Sequence, residues 1–184
     1  MLDWEQFNAD KHGAVQGFHC GDEPWSVEVN NFVKDDNGDS QAIKLIRSGR
    51  AEMWLYRQQS DGLLVGFGAL SKPKWTIDDK PEKVTVIHAF GITKAFHGFP
   101  PGPPEQRYAS LILSDLLSKA VAYGRPLCGL LVHKENARAK RFYEREGFEL
   151  IEEVRDTHDR MLLRLQIEQS LSTAPVSVPP LAPP

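Results

Sequence analysis

Apolar positions recur at helical spacing from about Glu23 to Lys34, where Trp25, Val29, Phe32 and Val33 share one side. Asp22 can cap that helix, and Pro24 is tolerated in its first turn. A second helical pattern runs from Asp39 to Ser48 with Ala42, Ile43 and Ile46 together, and Asp36-Asn37-Gly38 turns between the two. Then the period drops to two. Ala51 to Gln58 and Leu63 to Leu70 alternate as antiparallel strands about a hinge at Ser60-Asp61-Gly62. Residues 71–82 read as a loop carrying Pro73, Trp75 and Pro81, and Lys83 to Thr93 as the next strand. Ile112, Leu113, Leu116, Leu117, Ala120 and Val121 predict a helix closed by Gly124 and Pro126. Residues 1–21 read as a polar, irregular lead-in.

The stretch from Cys128 to Phe148 is the most informative. Its apolar run Leu130 to Val132 predicts a buried strand, and a segment of helix formers follows, with Asn136 as N-cap and Gly147 as the residue past the end. At helical spacing Asn136, Ala139 and Tyr143 form one stripe, with Phe142 beside it. Phe148 to Val154 and Arg160 to Leu165 predict two last strands around a turn at 156–159. From 167 the chain turns to Ser, Thr, Ala, Pro and Val, which predicts an extended, mobile tail after a single domain over 1–166. The element order is mixed α/β.

Composition narrows the class. A hydrophobic fraction of 41% with 26% charged residues is that of a globular protein, and a net charge of −3 does not indicate a dominant grip on nucleic acid. Cys20 and Cys128 lack metal or redox spacing and read as small buried hydrophobes in a reducing compartment. With no signal-like segment and no run of membrane-spanning length, the expectation is a soluble cytoplasmic protein without a membrane partner. The histidines and acids show no metal-ligand spacing.

The motif Asn136-x-x-Ala139-x-x-Phe142-Tyr143-Glu-x-x-Gly147-Phe148, between two apolar strands, resembles the acetyl-coenzyme A binding half of the GNAT superfamily of N-acetyltransferases. The element order over roughly 15–166 is also that of the GNAT fold, a mixed and mostly antiparallel sheet flanked by helices. The resemblance implies acetyl-CoA as cofactor and a primary amine, on a small molecule or a protein, as acceptor. It also implies that Tyr143 protonates the departing thiolate, that the strand at Phe90, Gly91 and Ile92 carries the oxyanion-stabilising amide, and that Asn136, Ala139 and Phe142 line the cofactor arm. Asn136 is equally explained as a helix cap and Gly91 as a bulge, while plain core is the lesser reading of Phe142-Tyr143.

In the family a loop of the form Gln/Arg-x-x-Gly-x-Gly/Ala precedes the apolar helix and cradles the pyrophosphate on backbone N–H groups. Here His97, Gly98 and Phe99 match its start and Arg107, Tyr108, Ala109 and Ser110 its end, so 100–106 is an insertion and Arg107 stands where the family has glycine. Cofactor binding through the helix-start amides is expected to survive the insertion, and Arg107 can pair with phosphate.

No general base is evident. His88 shares an alternating stripe with Val84, Val86, Phe90 and Ile92, where a satisfied core histidine is the commoner outcome, and His133 has similar standing. Trp75 is either a lid on a substrate pocket or, more commonly, an aromatic tucked on the sheet. The altered loop and missing base motivate an alternative, a non-catalytic coenzyme A-binding module. Phe18-x-Cys20-Gly21 resembles the start of tRNA-acetylating toxins, but the mild acidity opposes that sub-reading. Family members often form homodimers.

Overall fold

The structure, a computed structural model, describes residues 1–15, 17–34, 40–100, 103–155 and 157–166. Among these residues eight strands occur in the order β1 (Leu2–Gln6), β2 (Ala51–Gln58), β3 (Leu64–Ser71), β4 (Lys74–Ile77), β5 (Lys80–Ile92), β6 (Leu127–His133), β7 (Glu149–Arg155) and β8 (His158–Arg164). Four helices accompany them: α1 (Pro24–Val33), α2 (Gln41–Arg47), α3 (Tyr108–Ala122) and α4 (Ala137–Arg145). The sheet runs β1-β2-β3-β5-β6-β8-β7, with β4 paired to the start of β5. Every pairing is antiparallel except β5 with β6.

Two faces of the sheet are covered by different helices. Phe18, Phe32, Ile43, Met53, Leu55 and Phe67 pack in one core, which α1 and α2 enter through Phe32, Val33, Ala42 and Ile43. On the other face α3 inserts Ile112, Leu113 and Leu116, all fully buried, among Tyr56, Val65, Leu70 and Met161. A Cβ at Gly68 would stand 2.3 Å from Leu116, so the missing side chain lets α3 lie close on the sheet.

Two expectations are corrected. The lead-in is not irregular throughout: Leu2–Gln6 pairs with β2 as an edge strand, and a 3-10 turn spans Ala9–Val15. Its residues are mostly exposed, so no alternating apolar signal marked it. The loop at 71–82 contains β4, whose hairpin to β5 turns through Asp78 and Asp79 at positive φ. Trp75 is tucked on the sheet, against Gly129 and with Val84, Val86, Leu127 and Leu162, under the Arg160 guanidinium 4.6 Å from its ring.

Side-chain caps start α2 and α4, but the expected Asp22 does not cap α1: its N-cap is Glu23 without a side-chain bond, and Asp22 pairs with Lys94 at 2.9 Å. Ser40 accepts the Ile43 N–H, starting α2 just past the expected Asp39; Asp39 and the expected turn at Asp36-Asn37-Gly38 lie outside the described residues. Asn136 Oδ1 accepts the Ala139 N–H at 3.0 Å, and Gly147 follows α4 at φ +90°. The expected tail, 167–184, also lies outside the described residues. Among the described residues no helix is long and apolar enough to cross a membrane.

Candidate functional site

The parallel strands β5 and β6 stay together only briefly. Val84–Ile87 pairs with Leu127–Leu130, after which β5 runs on to Ile92 and β6 to His133 without pairing each other. The fork coincides with a bulge. Ala69 faces Ala89 while Leu70 faces Ile87, so His88 is the extra residue on β5, and a bulge bends and twists the strand that carries it.

Past the bulge the ladder dictates which backbone groups face the gap. Thr93 N–H bonds to Val65 C=O at 2.8 Å, placing this residue's polar groups toward β3. By alternation Gly91 and Ala89 do the same, and Phe90 and Ile92 present theirs to the cleft. On that side Ile92 C=O accepts a hydrogen bond from His97 Nε2 at 3.0 Å. The edge of β5 thus offers the Phe90 N–H as a fixed donor.

The cleft that opens from the fork measures about 1650 Å³ and runs from the head of α3 to the end of β3. Phe90, Gly91, Ile92, His97, Gly98, Arg107, Ala109, Ser110, Asn136, Ala139, Phe142 and Tyr143 all line it. Tyr108 is the exception among the expected site residues. Its ring is buried edge-on against Phe96 at 5.8 Å, and its N–H is taken by Phe99 C=O at 2.7 Å. The free amides at the head of α3 are therefore those of Ala109 and Ser110, beside Arg107, which caps the helix without a side-chain bond. The described part of the insertion, residues 100 and 103–106, contributes nothing to the lining and leaves this corner open.

Several expected residues have protein partners. Ser110 Oγ donates to Glu146 Oε1 at 2.8 Å, tying α3 to the end of α4. Asn136 acts as the helix cap. His97 faces the Ile92 carbonyl rather than the helix head, and burial holds its imidazole below the usual range. Gly91 serves close packing: a Cβ there would lie 2.7 Å from Phe18 and 2.8 Å from Val29.

Tyr143 lies in a ring cluster, 5.1 Å from Phe142, 5.6 Å from Phe148 and 6.5 Å from Phe90. Burial pushes its phenol pKa upward, and among the described residues no group hydrogen-bonds its hydroxyl. The proton is firmly held and available to a ligand. Cys128, buried nearby, is pushed up to about 12 and is no nucleophile at neutral pH.

The sequence stripe that put His88 with Val84, Val86, Phe90 and Ile92 is broken by the bulge. Val86 joins the cluster with Trp75, whereas Phe90 and Ile92 pack on the α3 face. His88 is not a core residue: it is exposed in the cleft, with its ring 5.5 Å from Phe32 of α1. Partial desolvation by the cleft walls, then the charge of Arg50, lowers its pKa, so it is a neutral base at neutral pH. On the opposite wall His133 sits between Trp25 at 5.6 Å and His158 at 5.3 Å, and His158 Nε2 meets Glu28 Oε2 at 3.2 Å. Sequence reasoning missed Arg138, Arg141 and Arg145, which also line the cleft, although their spacing along α4 was a legible stripe.

Neither a protein-family model nor a curated protein sequence matches the chain significantly. Solved structures do. A mutant of the AtaT toxin bound to the C-terminus of the antitoxin AtaR and acetyl-CoA has a TM-score of 0.62 at 16% identity, covering 89% of this chain and 92% of that one. AtaT is also seen complexed with acetyl-methionyl-tRNAfMet, at a TM-score of 0.60, 16% identity and coverage of 89% and 95%. The PaiA N-acetyltransferase of Thermoplasma acidophilum with coenzyme A gives 0.61 at 13% identity, covering 90% and 99%. A GNAT-family acetyltransferase of Staphylococcus aureus Mu50 gives 0.60 at 13% identity, covering 90% and 100%. The forked mixed sheet with helices on both faces is therefore the GNAT acetyltransferase fold.

Proposed function

We propose that this chain is an N-acetyltransferase that takes its acetyl group from acetyl-coenzyme A and delivers it to a primary amine. The observation that carries the reading is one cleft lined by Phe90 with its unpaired strand edge, by Tyr143, and by Ala109 and Ser110 with the free amides at the head of α3. These groups match a thioester nucleotide in order: helix-head amides and Arg107 for the diphosphate, an unpaired strand edge for the amide-bearing arm, and a phenol for the sulfur. Arg138 and Arg141 add cations along the same wall, with no acidic partner among the described residues.

Acetyl-coenzyme A supplies the activated acyl carbon when bound. With it bound, the Phe90 N–H would be the donor for negative charge gathering on the acyl oxygen. His88 would accept the proton that the amine loses as the C–N bond forms, and Tyr143 would supply its O–H proton to the leaving thiolate as the C–S bond breaks. Water then returns the proton from His88 to Tyr143, so the products are an amide and a thiol. The raised pKa of Tyr143 keeps that donor protonated throughout the working range.

Titration calorimetry with acetyl-coenzyme A, followed by thiol release with a panel of amines, tests the reading. Saturable heat and amine-dependent release are expected. No heat and no thermal shift would defeat it, and binding without transfer to any amine would leave the alternative, a non-catalytic coenzyme A-binding module.

A second reading, acetylation of an amino acid carried on tRNA, draws on the likeness to AtaT and on Arg107, Arg138 and Arg141 lying along one cleft. The net charge of −3 works against it. Acetylation of charged tRNA that weakens steeply with added salt would favour it.

A further inference from the structure

The half of the cleft beyond the fork, where α1 and α2 face the bulge, includes a cation without a protein partner among the described residues. Its walls are apolar: Trp25, Val29, Phe32 and Leu45, with Gln41 at the edge. Several ionic groups there have protein partners. Glu28 meets His158 at 3.2 Å and Glu23 accepts from Ser26 Oγ at 3.0 Å, contacts that leave the carboxylates negative, and Lys72 meets Glu52 at 3.2 Å while lying 4.0 Å over the Tyr123 ring. Glu135 stands apart at the rim, just before the Asn136 cap of α4.

Arg50 remains. Its backbone is fixed by the turn into β2, where its N–H bonds to Leu45 C=O at 2.9 Å, and among the described residues its guanidinium has neither ion pair nor hydrogen bond. Its charge reaches His88, the group placed to receive the amine's proton. A guanidinium disfavours a bare ammonium ion in its immediate neighbourhood, although Glu23, Glu28 and Glu135 line the same cleft with the opposite sign. An acceptor with its own negative group near the amine reverses that penalty, because a planar guanidinium binds carboxylate or phosphate in a two-pronged hydrogen bond. The same field lowers the basicity of the incoming amine and raises the fraction that is neutral and nucleophilic.

We infer that the acceptor amine belongs to a molecule that also carries a carboxylate or a phosphate, which Arg50 binds while the apolar part rests on Trp25, Val29 and Phe32. The inference rests on the acetyltransferase reading and names its substrate class.

Matched pairs of amines test it by thiol release from acetyl-coenzyme A. Phenylalanine against phenethylamine reads the carboxylate, and phosphoethanolamine against ethanolamine reads the phosphate. The anionic member of at least one pair is expected to win in kcat/KM by roughly tenfold or more, the scale of one charge-assisted interaction. The winning pair identifies the anion. Arg50→Met should collapse that ratio toward unity.

Equal or better use of the neutral members, or an Arg50→Met variant that slows both members alike, would overturn the inference. Should no amine turn over, calorimetry with phenylalanine and phosphoethanolamine in the presence of coenzyme A decides. Heat that Arg50→Met abolishes supports it, and no heat from either overturns it. Coenzyme A that gives no heat by itself refutes the parent reading instead, and the substrate class falls with it.

Discussion

In the proposed mechanism Tyr143 and His88 divide the proton traffic because their surroundings move them in opposite directions. Burial raises the phenol and keeps it a donor; burial and Arg50 lower the imidazole and keep it an acceptor. Replacing Tyr143 by Phe should lower kcat by roughly a hundredfold while changing cofactor affinity far less, as calorimetry and steady-state rates would show. An unchanged kcat removes the hydroxyl from the mechanism. In a pH profile of kcat/KM, the acid limb should lie below the ordinary histidine value, near 6.5, and Arg50→Met should move it upward. A limb that stays in place in His88→Gln would assign it to another group. Tyr143 was legible from its motif, but His88 was not, because parity along a strand holds only until a bulge adds one residue.

At the level of elements, α1 lies against β5 because Gly91 has no side chain. Gly91→Ala would place a methyl 2.7 Å from Phe18 and 2.8 Å from Val29, both held by the core, and should destabilise by about 1–3 kcal/mol in chemical denaturation. Wild-type stability in that variant would mean that α1 is free to shift. Asn30 holds the same helix at its other contact: its Oδ1 accepts the Cys20 N–H at 2.9 Å, and its Nδ2 donates to Gly21 C=O at 2.9 Å. The Phe18-x-Cys20-Gly21 segment therefore serves to dock α1, with Phe18 edge-on to Phe67 at 4.9 Å. For α4, removing the cap by Asn136→Ala should cost about 1 kcal/mol. That cap was readable from sequence, whereas Gly91 carried only the two readings of bulge or close approach. Identifying what approaches it required the packing.

Across the whole molecule the cleft is larger than a single small-ligand site, about 1650 Å³ against the roughly 300–1,000 Å³ of ordinary pockets. That suits a space where two substrates meet. His88 and His97 both line it, and both are harder to protonate folded than unfolded. Just below the ordinary value near 6.5 the unfolded chain binds the extra protons, so their contribution to stability is present above that pH and is lost as the pH falls. The melting temperature should drop between pH 7 and pH 5, by less in a His88→Gln/His97→Gln double variant. An equal drop in that variant would place the acid sensitivity in other groups.

Local pattern alone determined the helices, six of the eight strands among the described residues, the caps at Asn136 and Gly147, and the motif that pointed to the GNAT fold. Those features depend on neighbours a few residues apart, which periodicity and capping chemistry record. The edge strand β1 and the short β4 escaped because paired backbone, rather than a buried apolar face, holds them in the sheet. Only the tertiary structure decided the fork between β5 and β6, the turning of His88 into the cleft, the burial of Tyr108, and the unmatched charge of Arg50. Each of these is set by partners far away in the chain, and one added residue on one strand was enough to redirect the site.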